Sequence, residues 1–187
     1  LVGDELVLNK PSIAIIGCRD ASDYGKRVAF NFAYELAKEG FVIVSGLARG
    51  IDTYAHLGAV KANGKTIAVL GSGLKHIYPA ENKELCNEIV KKGGAVITEY
   101  EPHIKPLPMN FPSRNRIISG LSNGVLVVEA KQKSGTLITV DYALEQGKDV
   151  FVIPGNITST NSYGTNDLIK QGAKPVTNIQ EIIEEIT

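Results

Sequence analysis

Short apolar, β-branched runs alternate with helix-period segments along nearly the whole chain, and this alternation limits the possible folds more than any other feature. The runs fall at Ser12–Gly17, Phe41–Ser45, Thr66–Leu70, Ala95–Thr98, Gly124–Val128 and Asp149–Ile153, with a weak one at Lys174–Val176. Each is apolar on both alternations, as strands are when helices cover both faces of a parallel sheet. Between them, Val28, Ala29, Phe32, Ala33 and Leu36 lie on one helical stripe that stops at Gly40, a residue type suited to the position after a helix. Further helices are predicted from about Asp52 to Asn63, Lys83 to Lys92, Thr136 to Gln146, Asn166 to Gln171 and Ile179 to Ile186. Right-handed crossovers then give an α/β, extended Rossmann-like fold, an open and mostly parallel sheet with helices on both faces. In such sheets ligands bind outside the carboxyl ends of the strands. A length of 187 residues suits one domain of this kind.

Composition removes several classes of function. The 20 basic and 20 acidic residues leave no net charge, so any attraction for an anion has to be local. Cys18 and Cys86 give neither a disulfide framework nor a metal-ligand spacing, which points to a reducing cytoplasm. No apolar run approaches the ~18 residues needed to cross a bilayer, and no secretory signal pattern opens the chain, so no membrane association is expected. The segment Glu99–Ser113, with Pro102, Pro106, Pro108 and Pro112, is predicted to be an irregular loop.

Arginine placement supplies the functional signal. Arg19, Arg27, Arg49, Arg114 and Arg116 all fall in or beside glycine- or serine-rich segments near strand ends. Arginine offers a planar fork of donors matched to phosphate, and glycine turns let backbone N–H groups approach the same anion. The first strand runs into Gly17-Cys18-Arg19, and the second into Gly46-Leu47-Ala48-Arg49-Gly50, with Asp52 placed to cap the next helix. The proline-rich loop ends in Phe111-Pro112-Ser113-Arg114-Asn115-Arg116. Phe111 is either a stacking platform for a base or an anchor tying the loop to the core. Ser113 is the expected N-cap of the helix that follows. Arg114 and Arg116, two apart, point in different directions, one toward a ligand and one toward an ion pair. Lys131 and Lys133 precede Ser134-Gly135-Thr136, a turn whose hydroxyls and free N–H groups suit a phosphate. Glu129 calls for a positive partner, such as one of the arginines.

Other patterns are weak. Gly71-Ser72-Gly73 matches only the start of a dinucleotide fingerprint, so a nicotinamide cofactor is not expected. His56, His76 and His103 are scattered, with His56 placed inside a helix in a structural role. Cys18 reads as a small buried thiol rather than a nucleophile. No catalytic constellation, metal site or cofactor emerges, and a non-catalytic protein is expected.

The segments Val44–Asp52 with Ala55-His56, Phe111–Ile118, Glu129-Ala130 with Ser134-Gly135-Thr136, and Ile153-Pro154-Gly155 together resemble the DNA-processing protein A (DprA/Smf) family in type and order. The resemblance implies a Rossmann-like core that binds single-stranded DNA as a homodimer and helps load a RecA-type recombinase during natural transformation. It places the DNA pocket at Gly17, Arg19, Phe111, Ser113, Arg114 and Asn115. It also implies a small helical domain before such a core and a winged-helix-like domain after it, both outside this chain. Cys18 stands where a serine or threonine is more usual, and Ala80 and Pro108 where relatives can place lysines, changes that imply weaker DNA binding. A second resemblance, to nucleotide phosphoribohydrolases of the lysine-decarboxylase-like type, is poorer. Thr139 occupies the position of their glutamate and Lys133-Ser134 that of a glycine pair, while Glu129, Asp141 and Glu145 remain as carboxylates. A third reading makes the chain a recruitment platform, with Thr136–Gln146 as a self-association surface or, more simply, a core helix.

Overall fold

The structure is a computed structural model that describes residues 1–186. Seven of its strands are parallel: β2 (Ser12–Ile16), β3 (Val42–Ser45), β4 (Thr66–Val69), β5 (Ala95–Ile97), β6 (Gly124–Val127), β7 (Asp149–Val152) and β8 (Lys174–Pro175). A short β1 (Val2–Gly3), invisible to pattern reasoning, pairs antiparallel with β5 at one edge. The sheet order is β1-β5-β4-β3-β2-β6-β7-β8, so the chain winds outward from β2 in one direction and then resumes beside it at β6. The α/β, Rossmann-like architecture expected from the alternation is therefore the one observed.

Strand periodicity sorts the core. Ala14 and Ile16 with Val125 and Val127 face α4 (Asn110–Leu121), α5 (Gly135–Glu145) and α6 (Tyr163–Lys170), meeting Ile118, Val140 and Leu168. Ile13, Ile15, Ile43 and Leu126 face the opposite way, onto α1 (Asp23–Lys38), α2 (Ile51–Lys61) and α7 (Gln180–Ile186). Ala68, Leu70 and Val96 complete that side against Leu85 and Ile89 of α3 (Lys83–Lys91). Helix α5 is a core element through Thr139, Val140 and Ala143, with Ile138 and Leu144 on its exposed edge. No described helix is long and apolar enough to cross a membrane.

Four local expectations are corrected. The irregular segment is shorter than its prolines suggested, because α4 already begins at Asn110. Pro112 falls in the helix's first turn, where its missing N–H costs nothing. Ser113 is consequently inside the helix, and Met109 holds the cap position without a side-chain cap. Helix α2 begins at Ile51, so Asp52 lies in its first turn and accepts instead from Gly46 N–H (3.0 Å) and Ala48 N–H (3.4 Å). Helix α6 starts three residues ahead of the predicted Asn166, at Tyr163.

Helices α1 and α2 touch at Gly58, where an added Cβ would lie 2.3 Å from the Phe30 carbonyl oxygen and 3.0 Å from Ala33 Cβ. Alanine raises helix propensity by about 1 kcal/mol, but a backbone carbonyl has no rotamer to escape into. Gly58→Ala is expected to destabilise by about 1–3 kcal/mol, lowering the urea midpoint at an unchanged slope. An unchanged midpoint would mean that the two helices separate freely.

Candidate functional site

Where the strand order reverses, between β2 and β6, a cavity of about 640 Å³ opens at the carboxyl ends of the strands. A crevice at this switch point follows from doubly wound topology. The loop after β2, the loop after β6 and the first turns of α4 and α5 supply its walls.

A buried carboxylate organises the β2 loop. Glu129 accepts from the Ser22 backbone N–H (3.0 Å), from the Ser22 hydroxyl and from Asn161 Nδ2 (3.2 Å). Ser22 Oγ in turn caps α1 by accepting from Gly25 N–H at 3.0 Å. The arginine partner expected for Glu129 is therefore replaced by neutral donors. Gly50, at φ 76°, lets the following turn press on this loop, since a Cβ there would lie 2.2 Å from the Cys18 carbonyl oxygen. Burial pushes the Cys18 thiol up, as befits an inert wall residue.

Arg114, only 3% exposed, reaches beneath the sheet ends. Its Nη1 donates to the carbonyls of Gly46 (2.8 Å) and Val69, and its Nε to Asn115 Oδ1 (3.1 Å). Burial pulls the guanidinium down to about 10, and burial likewise pushes the nearby Asp52 carboxyl up to about 6 despite its attraction to Arg114. In both groups desolvation outweighs the mutual attraction, yet at neutral pH each keeps its charge. His56 sits beneath them, lowered to about 3 by burial and then by Arg114. Thr66 spends its hydroxyl proton on the Ile43 carbonyl (2.6 Å), so His56 Nδ1 carries the proton it shares with Thr66 Oγ1 (2.7 Å). The expected structural role for His56 fits this burial.

Above Arg114 lies a layered stack. The Arg114 and Arg19 guanidiniums stand 5.5 Å and 5.3 Å from the centre of the Phe111 ring. Tyr78 tilts against Phe111 at 5.7 Å, and Arg49 stands 5.9 Å from the Tyr78 ring. The Phe111 ring packs over Gly71, as the anchoring reading requires, and it also lines the cavity.

Most residues singled out in the sequence meet here. Gly17, Cys18, Arg19, Phe111, Arg114, Asn115, Lys131, Ser134, Gly135 and Thr136 all line the cavity. Gly46 and Arg49 line a smaller adjoining crevice, where Arg49 is paired with Glu81 on the surface. Gly50 shapes the wall without lining it. Ser113 is exposed on α4 outside the cavity, and Arg116 is turned away into an ion pair with Glu99. Arg27 is exposed on α1, also outside it. Sequence reasoning missed Tyr78, Asp20 and the cavity-facing role of Asp52. The Tyr78-Pro79 pair ahead of α3 was the available signal for Tyr78. Nothing local announced Asp20, which lies 3.2 Å from Lys131 Nζ.

Comparison with known proteins identifies close relatives. The sequence profile of the DNA recombination-mediator protein A family matches residues 1–187. DNA processing protein DprA of Bacillus subtilis is 46% identical over 98% of this chain and 62% of its own length. Protein Smf of Escherichia coli is 48% identical over 98% of this chain and 49% of its own length. This chain thus spans between 44% and 63% of the length of the curated relatives it matches. The solved structure of DNA processing protein A from Streptococcus pneumoniae superposes with a TM-score of 0.91 at 46% identity, covering 99% of this chain and 65% of that one. A Helicobacter pylori structure, titled for its single-stranded DNA binding mode, gives 0.89 at 36% identity, covering 98% of this chain and 84% of that one. A molybdenum cofactor binding protein from Rippkaea orientalis shares the fold at a TM-score of 0.64 and 23% identity.

Asp52 and His56 act on acid stability with opposite signs. The raised Asp52 value means the folded chain holds a proton that the unfolded chain lacks between 3.8 and about 6, so its contribution falls as pH rises through that window. The lowered His56 value means the unfolded chain holds the extra proton between 6.5 and about 3, so that contribution is lost as pH falls. Asp52→Asn removes only the first effect. Relative to the parent, the variant should lose about 1–3 kcal/mol between about pH 7 and about pH 4.5 in denaturant titrations. Parallel pH profiles for the two proteins would refute the assignment.

Proposed function

We propose that this chain, which belongs to the DNA recombination-mediator protein A family, is a non-catalytic binder of single-stranded DNA that protects incoming strands and helps load a RecA-type recombinase in natural transformation. The observation that carries this reading is the convergence of Arg19, Arg114, Lys131 and the half-buried Phe111 with the N-terminus of α5 on one cavity. Cations and helix N–H groups hold phosphates without reading sequence, and an aromatic face accepts any base. Binding of this kind is length-dependent, weakly sequence-selective and strongly salt-sensitive. As part of the same reading the protein works in the cytoplasm as a homodimer. Its two cysteines, both free and buried, are compatible with a reducing compartment.

The phosphoribohydrolase reading loses support at two points. Thr139, buried beside the cavity, presents no carboxylate where those enzymes carry theirs. Of the remaining carboxylates, Glu129 has its oxygens engaged by Ser22 and Asn161, and Asp141 and Glu145 are exposed on α5 outside the cavity.

Three variants separate the contributions, with polarisation of a labelled oligonucleotide as the readout. Phe111→Ala is expected to weaken binding by about 1–3 kcal/mol with no change in salt dependence. Arg19→Ala should weaken binding and reduce the slope of log affinity against log salt by about 0.7, the mark of one lost phosphate contact. Arg116→Ala, directed away from the cavity, should leave affinity within about twofold, since exposed ion pairs contribute little. Arg114 is unsuitable for this test because its loss strips partners from the Gly46 and Val69 carbonyls. Parent-like affinity in both the Phe111 and Arg19 variants would remove the site.

A further inference from the structure

We propose that the cavity also holds a single nucleotide carrying a phosphate monoester, with the phosphate at the N-terminus of α5 and the base against Phe111. The nucleotide is either a free nucleoside monophosphate or the phosphorylated end of a strand, two sources of one chemistry. This rests on the nucleic-acid reading of the same cavity but asks more of it, a seat for one terminal phosphate.

Two independent observations support it. Ser134, at the cap position of α5, makes no side-chain cap, and its Oγ is buried without a hydrogen-bond partner among the described residues. Only the Leu137 N–H of that first turn is spent on Ser134, leaving the Gly135 and Thr136 N–H groups directed out of the helix end. Separately, Arg114 is 3% exposed and lines the same cavity, with all its described hydrogen bonds made by Nε and Nη1. Nη2 is thus a double donor with no protein acceptor among the described residues. Asn115 fixes the spacing of the two seats, accepting from Arg114 Nε at 3.1 Å and donating to the Gly135 carbonyl at 3.5 Å.

Charge decides which end takes the phosphate. Asp52 lies beside Arg114, so a phosphate placed there meets a buried carboxylate, whereas a neutral base offers its carbonyl to Nη2 and its face to Phe111. At the other end the nearest carboxylate, Asp20, is exposed and already paired with Lys131. The donors gathered there are two backbone N–H groups, the Ser134 and Thr136 hydroxyls and Lys131. They match the three terminal oxygens and double charge of a monoester better than the two free oxygens of a diester. A cavity of about 640 Å³ lies within the range typical of small-molecule sites.

The test is calorimetric titration of the full chain with thymidine monophosphate, thymidine and inorganic phosphate. Alongside it, oligonucleotides with a phosphate or a hydroxyl at the 5′ end, and at the 3′ end, are compared. The monophosphate should bind at least about tenfold tighter than thymidine or phosphate, the equivalent of one charge-assisted hydrogen bond. The double variant Ser134→Ala with Thr136→Val should erase that advantage while leaving thymidine unaffected. If only a phosphorylated strand end gains affinity, the strand is the source, and if free monophosphate binds equally well, both are. If neither the monophosphate nor either phosphorylated end exceeds its unphosphorylated counterpart, the proposal is overturned, even where the double variant fails to fold. Hydroxyl-ended oligonucleotides report separately on the single-strand reading, so the two can fail independently.

Discussion

The insertion of the Arg114 guanidinium beneath the ends of β3 and β4 is the interaction on which the site depends. Withdrawing such a charge from water costs several kcal/mol unless its partners are well placed. Here the Gly46 and Val69 carbonyls, at the ends of neighbouring strands, and the adjacent Asp52 supply that compensation. The arrangement needs a planar fork that reaches two carbonyls at once, which a lysine ammonium on a flexible stem does not reproduce. Through it α4 is pinned across the sheet, and Phe111, one helical turn earlier, is set over the cavity. Asp52 extends the effect by gripping the Gly46 and Ala48 N–H groups, which shape the turn after β3.

Glu129 plays the complementary part with a different economy. Its carboxylate is buried, yet hydroxyl, amide and backbone donors satisfy it, so no cation is consumed. Arg19 consequently remains on the cavity wall, against Phe111, instead of being drawn into an interior pair. Arg49 and Arg116 show the alternative, each tied to a surface carboxylate and each displaced from the main cavity. In a chain with no net charge, local positive charge depends on where the cations sit and which are drawn away into pairs, not on how many there are.

This explains which parts of the molecule were legible beforehand. The strands and the two-faced sheet were readable because hydrophobic period is a local property, and Ile13–Ile16 buries both faces as its pattern requires. The glycine and serine turns were readable as turns at the strand ends because their chemistry lies in consecutive residues. The start of α4 was hidden because prolines argue against helix everywhere except in the first turn, where Pro112 lies. The partners of Glu129 were hidden because Ser22 and Asn161 are 107 and 32 residues distant in sequence. Asp52 looked like a cap from its position beside Gly50, and only the folded turn reveals that it faces Arg114. The sequence thus exposed the candidate anion donors but not the buried charges that orient them.

Topology and chemistry contribute separately to the site. Any sheet that winds outward from β2 and resumes at β6 leaves a crevice at that junction, and the fold is shared with a cofactor-binding protein at only 23% identity. The crevice alone therefore says nothing about its ligand. This crevice carries a gradient: the buried Arg114 and Asp52 with an aromatic face at the deep end, and an uncapped helix terminus with a lysine at the other. Such a gradient favours ligands that are neutral and flat at one end and anionic at the other, and nucleotides have that shape. A continuous strand repeats the same polarity at every residue, which is how the proposed function lets one crevice of this kind grip a polymer.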